Sequence, residues 1–217
     1  MRENIVMFRK MCFFIIIVLA TFTVAQEQTF VEVTTINPNI QLDIRYATEN
    51  NFLNRVVYPQ ARCFVRYPVG IKLDSIQQEL ESIGLGLKIF DGYRPLSVQK
   101  QMWEILPDDQ YVANPQNGSR HNRGAAVDVS LVDFSGSELP MPTEYDDFTE
   151  KAAHAYQNLP AEIRRNRWIL KTIMEKYGFT PIKSEWWHYD LKGWEIFPIS
   201  DLSFEEIEQM NAHSQSE

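Results

Sequence analysis

Cysteine is nearly absent from the 217-residue chain, which has only Cys12 and Cys63. Cys12 lies in the apolar stretch near the N-terminus, so loss of that stretch would leave no intramolecular disulfide to staple the fold. Cys63 sits in Ala61-Arg62-Cys63-Phe64-Val65 with no histidine beside it, which favours a structural thiol over a nucleophile. Basic residues are the minority, 21 Lys and Arg against 29 Asp and Glu, for a net charge of −8. That balance argues against phosphate-backbone binding, so nucleic acid is not an expected partner. Long apolar runs are missing too: Met11 to Ala20 falls well short of the roughly 20 residues that span a bilayer. No Pro/Gly/Ser linker, internal repeat or low-complexity block divides the chain. With 44% hydrophobic and 12% aromatic residues, it should form one globular core. No HExxH helix, GxSxG elbow or glycine-rich phosphate loop with its lysine occurs. Ser119, two positions from His121, does not by itself make a serine-hydrolase pair.

What is present begins with a leader. Arg2, Arg9 and Lys10 precede the apolar run, and Thr23-Val24-Ala25 supplies small residues for a signal peptidase. Residues 1–25 read as a secretory signal peptide, with an uncleaved anchor as the rival reading. Cleavage would remove three basic residues and one acidic residue, taking the charge from −8 to −10. The expected product is exported, periplasmic or extracellular, with no stable membrane span. Residues 26–204 read as one domain and 205–217 as a polar tail, with at most a frayed helix at its start.

Within the domain, Val31 to Ile36 suits an opening strand or extended arm, and Leu42 to Tyr46 a short strand. After Pro68, the spacing of Val69, Leu73, Ile76, Leu80 and Ile83 predicts a helix ending near Gly84 or Gly86. Leu85 to Phe90 reads as a central strand leading into Asp91-Gly92-Tyr93-Arg94-Pro95, then a helix with Val98, Met102 and Ile105. Ala125 to Val132 reads as another strand. From Pro160 to Gly178 a helix is expected, with Trp168 and Met174 facing the core, and strand material follows from Phe179 to Tyr189.

Two clusters carry the chemistry. His121 and Asp128 stand seven positions apart, with Gly124 between them to allow a close turn, and Glu185 and His188 follow. Two imidazoles and two carboxylates suffice for a three-ligand zinc site with an open position and a separate base. Taken alone, His121 and Asp128 fit ordinary loop or core chemistry better than a metal site, and the addition of Glu185 and His188 tips the reading towards metal. Glu185 and His188 share a face on a helix but point oppositely on a strand, so a strand would need a turn or bulge to aim both inward. Arg94 follows a strand end and has two readings, a functional cation or a simple partner of Asp91. His154 reads as hydrogen bonding or packing, and His213 as solvated.

The blocks Leu42-Asp43-Ile44-Arg45-Tyr46-Ala47-Thr48 with Asn51-Phe52, Asp91 to Pro95, Gly118 to Asp128, and Glu185-Trp186-Trp187-His188 resemble the VanX-type D-alanyl-D-alanine dipeptidases. These are zinc enzymes of the wider family that includes DD-carboxypeptidases. The resemblance implies a single α+β domain of the hedgehog/DD-peptidase-like fold, with a central, mainly antiparallel sheet flanked by helices. It implies one zinc per chain on His121, Asp128 and His188, with Glu185 as catalytic base and Arg94 opposing charge on the scissile carbonyl oxygen. Ser119 would contact the substrate amino end, and Asp146 would receive its ammonium. Pro142 stands where the family's small glycine follows Met141, which stiffens the loop before Asp146. The implied substrate is a small D,D-dipeptide from peptidoglycan. A DD-carboxypeptidase or endopeptidase acting on longer wall peptides, or a noncatalytic zinc-stabilised binding domain, would use many of the same residues.

Overall fold

Val69, Leu73, Ile76 and Leu80 are spaced to line one side of a helix, and all four are fully buried. In the computed structural model, which describes residues 28–109 and 111–214, they belong to a helix that starts at Tyr67 with Pro68 in its first turn. The proposed leader, residues 1–25, lies outside the described residues. In chain order the elements are β1 (Phe30–Glu32), α1 (Val33–Ile36), β2 (Gln41–Leu42), β3 (Phe64–Arg66), α2 (Tyr67–Glu81) and β4 (Leu85–Asp91). There follow α3 (Leu96–Ile105), β5 (Ala126–Asp133), α4 (Ala161–Lys176), β6 (Phe179–Pro181), β7 (His188–Leu191) and α5 (Phe204–Ser214).

The main sheet has five strands in the order β2-β4-β5-β7-β6, and only the β2–β4 pair is parallel. This is the expected α+β architecture with a mainly antiparallel sheet. A second sheet pairs β1 with β3. Strand β5 is buried almost throughout, as its run of small and β-branched residues requires for a central position. Gln77 on α2 fixes that helix to the sheet by accepting a 2.7 Å hydrogen bond from the Leu87 amide. The buried apolar side chains form one core. Cys63 is buried within it, and burial pushes its thiol well above the usual value, as befits a structural cysteine. Among the described residues no helix is long and apolar enough to cross a membrane.

Several local expectations change. The opening strand stops at Glu32 and becomes a single helical turn, while the second strand is cut to Gln41–Leu42 and gives way to a 3₁₀ turn at Arg45–Ala47. Helix α2 ends at Glu81, so Ile83 lies beyond it and is exposed. Trp168 is not core. The inward face of α4 is set by Asn166, Arg167, Leu170, Ile173 and Met174, which leaves Trp168 on the far side and 64% exposed.

The C-terminal segment is more than a polar tail with a frayed start. Ser203 and Glu206 form a reciprocal cap: the Glu206 amide donates to Ser203 Oγ at 3.2 Å, and the Ser203 amide donates to Glu206 Oε2 at 2.7 Å. The helix then buries Phe204 and Ile207. The Phe204 ring lies 5.2 Å from those of both Tyr58 and Phe64. Phe204→Ala should therefore cost about 3–5 kcal/mol, whereas Trp168→Ala should stay within about 0.5 kcal/mol of the parent. Urea unfolding midpoints of the two variants measure the contrast.

Candidate metal centre and active site

Sheet register builds the site. Asp128 on β5 lies opposite Asp91 on β4 and opposite His188 on β7. Strand alternation then puts Asp190 on the same face as His188. His121 comes from the other direction, on a 3₁₀ turn of residues His121–Arg123 that closes at Gly124. Gly124 adopts φ 68°, and a Cβ there would come within 2.5 Å of the Phe30 ring, so both conformation and space call for glycine. Glu185 lies in the bend between β6 and β7 rather than on a strand. That bend answers the spacing problem: Glu185 and His188 both point inward, with Glu185 Oε2 4.0 Å from His188 Nδ1.

Three donor atoms converge. His188 Nδ1 is 3.1 Å from Asp128 Oδ1, His121 Nε2 is 3.4 Å from the same oxygen, and the two imidazole nitrogens are 3.1 Å apart. Four-coordinate zinc, with bonds of about 2.0–2.2 Å, needs ligand separations of about 3.3 Å. The triangle fits that requirement. Asp128 Oδ1 is buried and has no hydrogen-bond partner among the described residues, an arrangement a cation would satisfy.

The surrounding hydrogen bonds leave those same atoms free to coordinate. His121 Nδ1 lies 2.7 Å from the Gly92 carbonyl oxygen, which takes a proton there and leaves Nε2 as the lone pair. His188 Nε2 lies 2.8 Å from Asp190 Oδ1, leaving Nδ1 available. Tyr145 donates its hydroxyl to Asp128 Oδ2 at 2.9 Å, leaving Oδ1. Gly92 must approach closely to do this, because a Cβ on it would meet Cys63 Sγ at 2.6 Å. Burial works against charge on Asp128, yet the two imidazoles hold its carboxyl well below the usual range. Burial likewise works against charge on His188, but Asp128 and Asp190 outweigh it and keep a proton there. A divalent cation would displace that proton.

Arg94 pairs with Asp91, as one of its two readings had it. Its Nη2 is 2.6 Å and its Nε 3.1 Å from Asp91 Oδ2, while Nη1 donates to Gln99 at 2.9 Å. It also borders the same cavity as the three donor residues. Its backbone amide donates to the His121 carbonyl at 3.1 Å, and its carbonyl accepts from Asn122 Nδ2 at 2.8 Å. The strand-end loop and the histidine turn are thus latched together.

The cavity measures about 140 Å³. Pockets for drug-sized ligands run to ~300–1,000 Å³, so this one suits a small substrate. Every site residue expected from sequence borders it: Arg94, Ser119, His121, Asp128, Asp146, Glu185 and His188. Asp146 reaches it in a left-handed backbone conformation, φ 63°, and accepts from the Tyr46 hydroxyl at 3.2 Å. Burial, and next the nearby Asp128 charge, push Asp146 well above the usual carboxyl value. Burial raises Glu185 to about 7. The aromatic wall comprises Tyr46, Phe52, Tyr111, Phe148 and Trp187.

Sequence reasoning missed the supports. Asp190 had a legible signal, since His188 and Asp190 alternate on one strand face. Tyr145 and the Gly92 carbonyl had none, because they reach the site from loops distant in sequence.

Known proteins resemble this chain over most of its length. The profile of the family described as D-ala-D-ala dipeptidase matches residues 26–205. A D-alanyl-D-alanine dipeptidase of Escherichia coli (strain K12) is 36% identical over 170 residues, covering 78% of this chain and 88% of that protein. One from Enterococcus faecium is 30% identical over 189 residues, covering 76% and 92%. Among solved structures, VanYB in complex with D-alanine-D-alanine is similar at 18% identity and a TM-score of 0.41, covering 61% of this chain and 74% of that one.

The outer hydrogen bonds give a direct test. Tyr145→Phe and Asp190→Ala should each weaken metal affinity about 10–100-fold without unfolding the protein. Competition against a chromophoric chelator would measure it.

Proposed function

The chain belongs to the D-ala-D-ala dipeptidase family, and from that membership we propose that it hydrolyses D-alanyl-D-alanine and related D,D-dipeptides with one zinc ion per chain. The observation that carries the metal assignment is the triangle of His121 Nε2, Asp128 Oδ1 and His188 Nδ1, with separations of 3.1–3.4 Å beside Glu185. Zinc held by these three residues supplies an acidified water and a polarised substrate carbonyl.

The protein groups divide the remaining work. Glu185, raised to about 7 by burial, is suited to take the proton of the attacking water and deliver it to the leaving amine. Arg94, gripped on one edge by Asp91 and Gln99, opposes the negative charge that develops on the carbonyl oxygen. Asp146, whose carboxyl burial pushes well above the usual value, receives the substrate ammonium, a cation that favours its charged form. Ser119 contacts the same amino end. A receptor for a free amine selects a dipeptide over an internal bond, and the small cavity favours a dipeptide over a longer wall peptide.

We further infer that residues 1–25 direct export and are removed, so the enzyme acts on dipeptides released during wall turnover. Mass analysis of the exported protein should find Gln26 at the N-terminus.

Two measurements test the chemistry. Purified protein should cleave D-Ala-D-Ala but not L-Ala-L-Ala, lose the activity to a chelator and regain it with zinc. Equal, chelator-insensitive cleavage of both would refute the assignment. Glu185→Gln should lower kcat about 10²–10⁴-fold. Its zinc affinity should stay close to the parent value, which separates loss of the base from loss of the metal.

A further inference from the structure

A second concave site lies on the surface. Helix α4 and the loop before it enclose an open cleft of about 490 Å³, bordered by His154, Arg164, Arg165, Trp168 and Lys171. None of these residues borders the dipeptide cavity. The cleft concentrates positive charge on a chain whose net charge is −8.

The side chains are deployed unevenly. Arg167 serves the fold, donating to the carbonyls of Ala153 at 3.1 Å and Tyr156 at 2.8 Å and so holding the loop against the helix. Lys171 is paired with Glu175 at 2.5 Å. Arg164 and Arg165 are exposed, and neither guanidinium has a hydrogen-bond or carboxylate partner among the described residues. Between them and Lys171, one helical turn along, stands the exposed indole of Trp168. His154 completes the cleft with two buried ring nitrogens, neither of which has a partner. Its burial and the cations of Arg167 and Lys171 pull it down to about 4, so near neutral pH it is an uncharged ring with one N–H to donate.

We propose that this cleft binds a ligand carrying an oxyanion next to a flat, weakly polar ring. The two unpaired guanidiniums supply forked donors for a phosphate or carboxylate group. The indole offers a face on which a ring can stack. The site is independent of the dipeptide reading, and its test does not require that reading to hold.

Phenyl phosphate, inorganic phosphate and phenol are the probes, titrated into the zinc-loaded full chain and followed through the indole N–H resonance of Trp168, assigned by its loss in Trp168→Phe. Phenyl phosphate should bind saturably and shift that resonance, with phosphate weaker and phenol weaker still. Arg164→Gln combined with Arg165→Gln should weaken phenyl phosphate about tenfold or more. Dipeptide hydrolysis in this double variant should stay at the parent rate. Absence of saturable binding would overturn the proposal. So would equal affinity for phenol and phenyl phosphate, or unchanged affinity in the double variant. A phenyl carboxylate repeat separates the two oxyanions: tighter phosphate binding assigns the site to aromatic phosphoesters, and tighter carboxylate binding assigns it to aromatic carboxylates.

Discussion

Asp128 sits on the middle strand of the sheet with its two neighbours in register, Asp91 on one side and His188 on the other. Acidic groups crowd this region: Asp91, Asp128 and Asp190 are buried, and Glu185 and Asp146 line the adjoining cavity. Nearby side chains offer two guanidiniums, Arg94 beside Asp91 and Arg120 beside Asp190, and two imidazoles in return. Buried charge of one sign is costly unless it is paired. The excess can be relieved by protons, as the raised values of Glu185, Asp146 and His188 indicate, or by a divalent cation at the point where three lone pairs meet. The remaining polar architecture follows from that choice.

Each immediate neighbour of the convergence point uses up one atom and leaves another. Gly92 takes one nitrogen of His121, Asp190 takes one nitrogen of His188, and Tyr145 takes one oxygen of Asp128. Asp91 turns away from the centre and binds Arg94, Tyr58 and the Gly92 amide. A buried pair such as Asp91 and Arg94 adds little net stability, but removing one partner leaves an uncompensated charge. Its value here is orientation: it holds a guanidinium at the cavity wall with few degrees of freedom left.

Much of the fold could be read from periodicity. Helix α2 and strands β4 and β5 lie where their apolar spacing put them, because long, regular patterns outweigh local preference. Short elements were less legible. Gln41–Leu42 is a strand only because β4 accepts it as a parallel neighbour. Trp168 shows how a large aromatic misleads: the phase of α4 follows the summed burial of the whole helix, and one indole on the wrong side cannot rotate it. In the C-terminal helix the Ser203 and Glu206 cap was present in the sequence, and Phe204 with Ile207 marked an inward edge. Its weak apolar content hid that edge beneath a run of acidic residues.

That His121, Asp128, Glu185, His188 and Arg94 are the candidates follows from sequence, because the blocks that hold them resemble those of the D-ala-D-ala dipeptidase family. Sequence likewise determined the family, the acidic balance and the scarcity of cysteine. Tertiary structure alone decided which nitrogen of each histidine is free, how a glutamate three positions from a histidine comes to face the same point, and that Arg94 both pairs with Asp91 and borders the cavity. The physical reason is that these properties depend on register across strands and on carbonyl and hydroxyl groups arriving from remote loops. Neither register nor arrival leaves a mark on the spacing of residues along one chain.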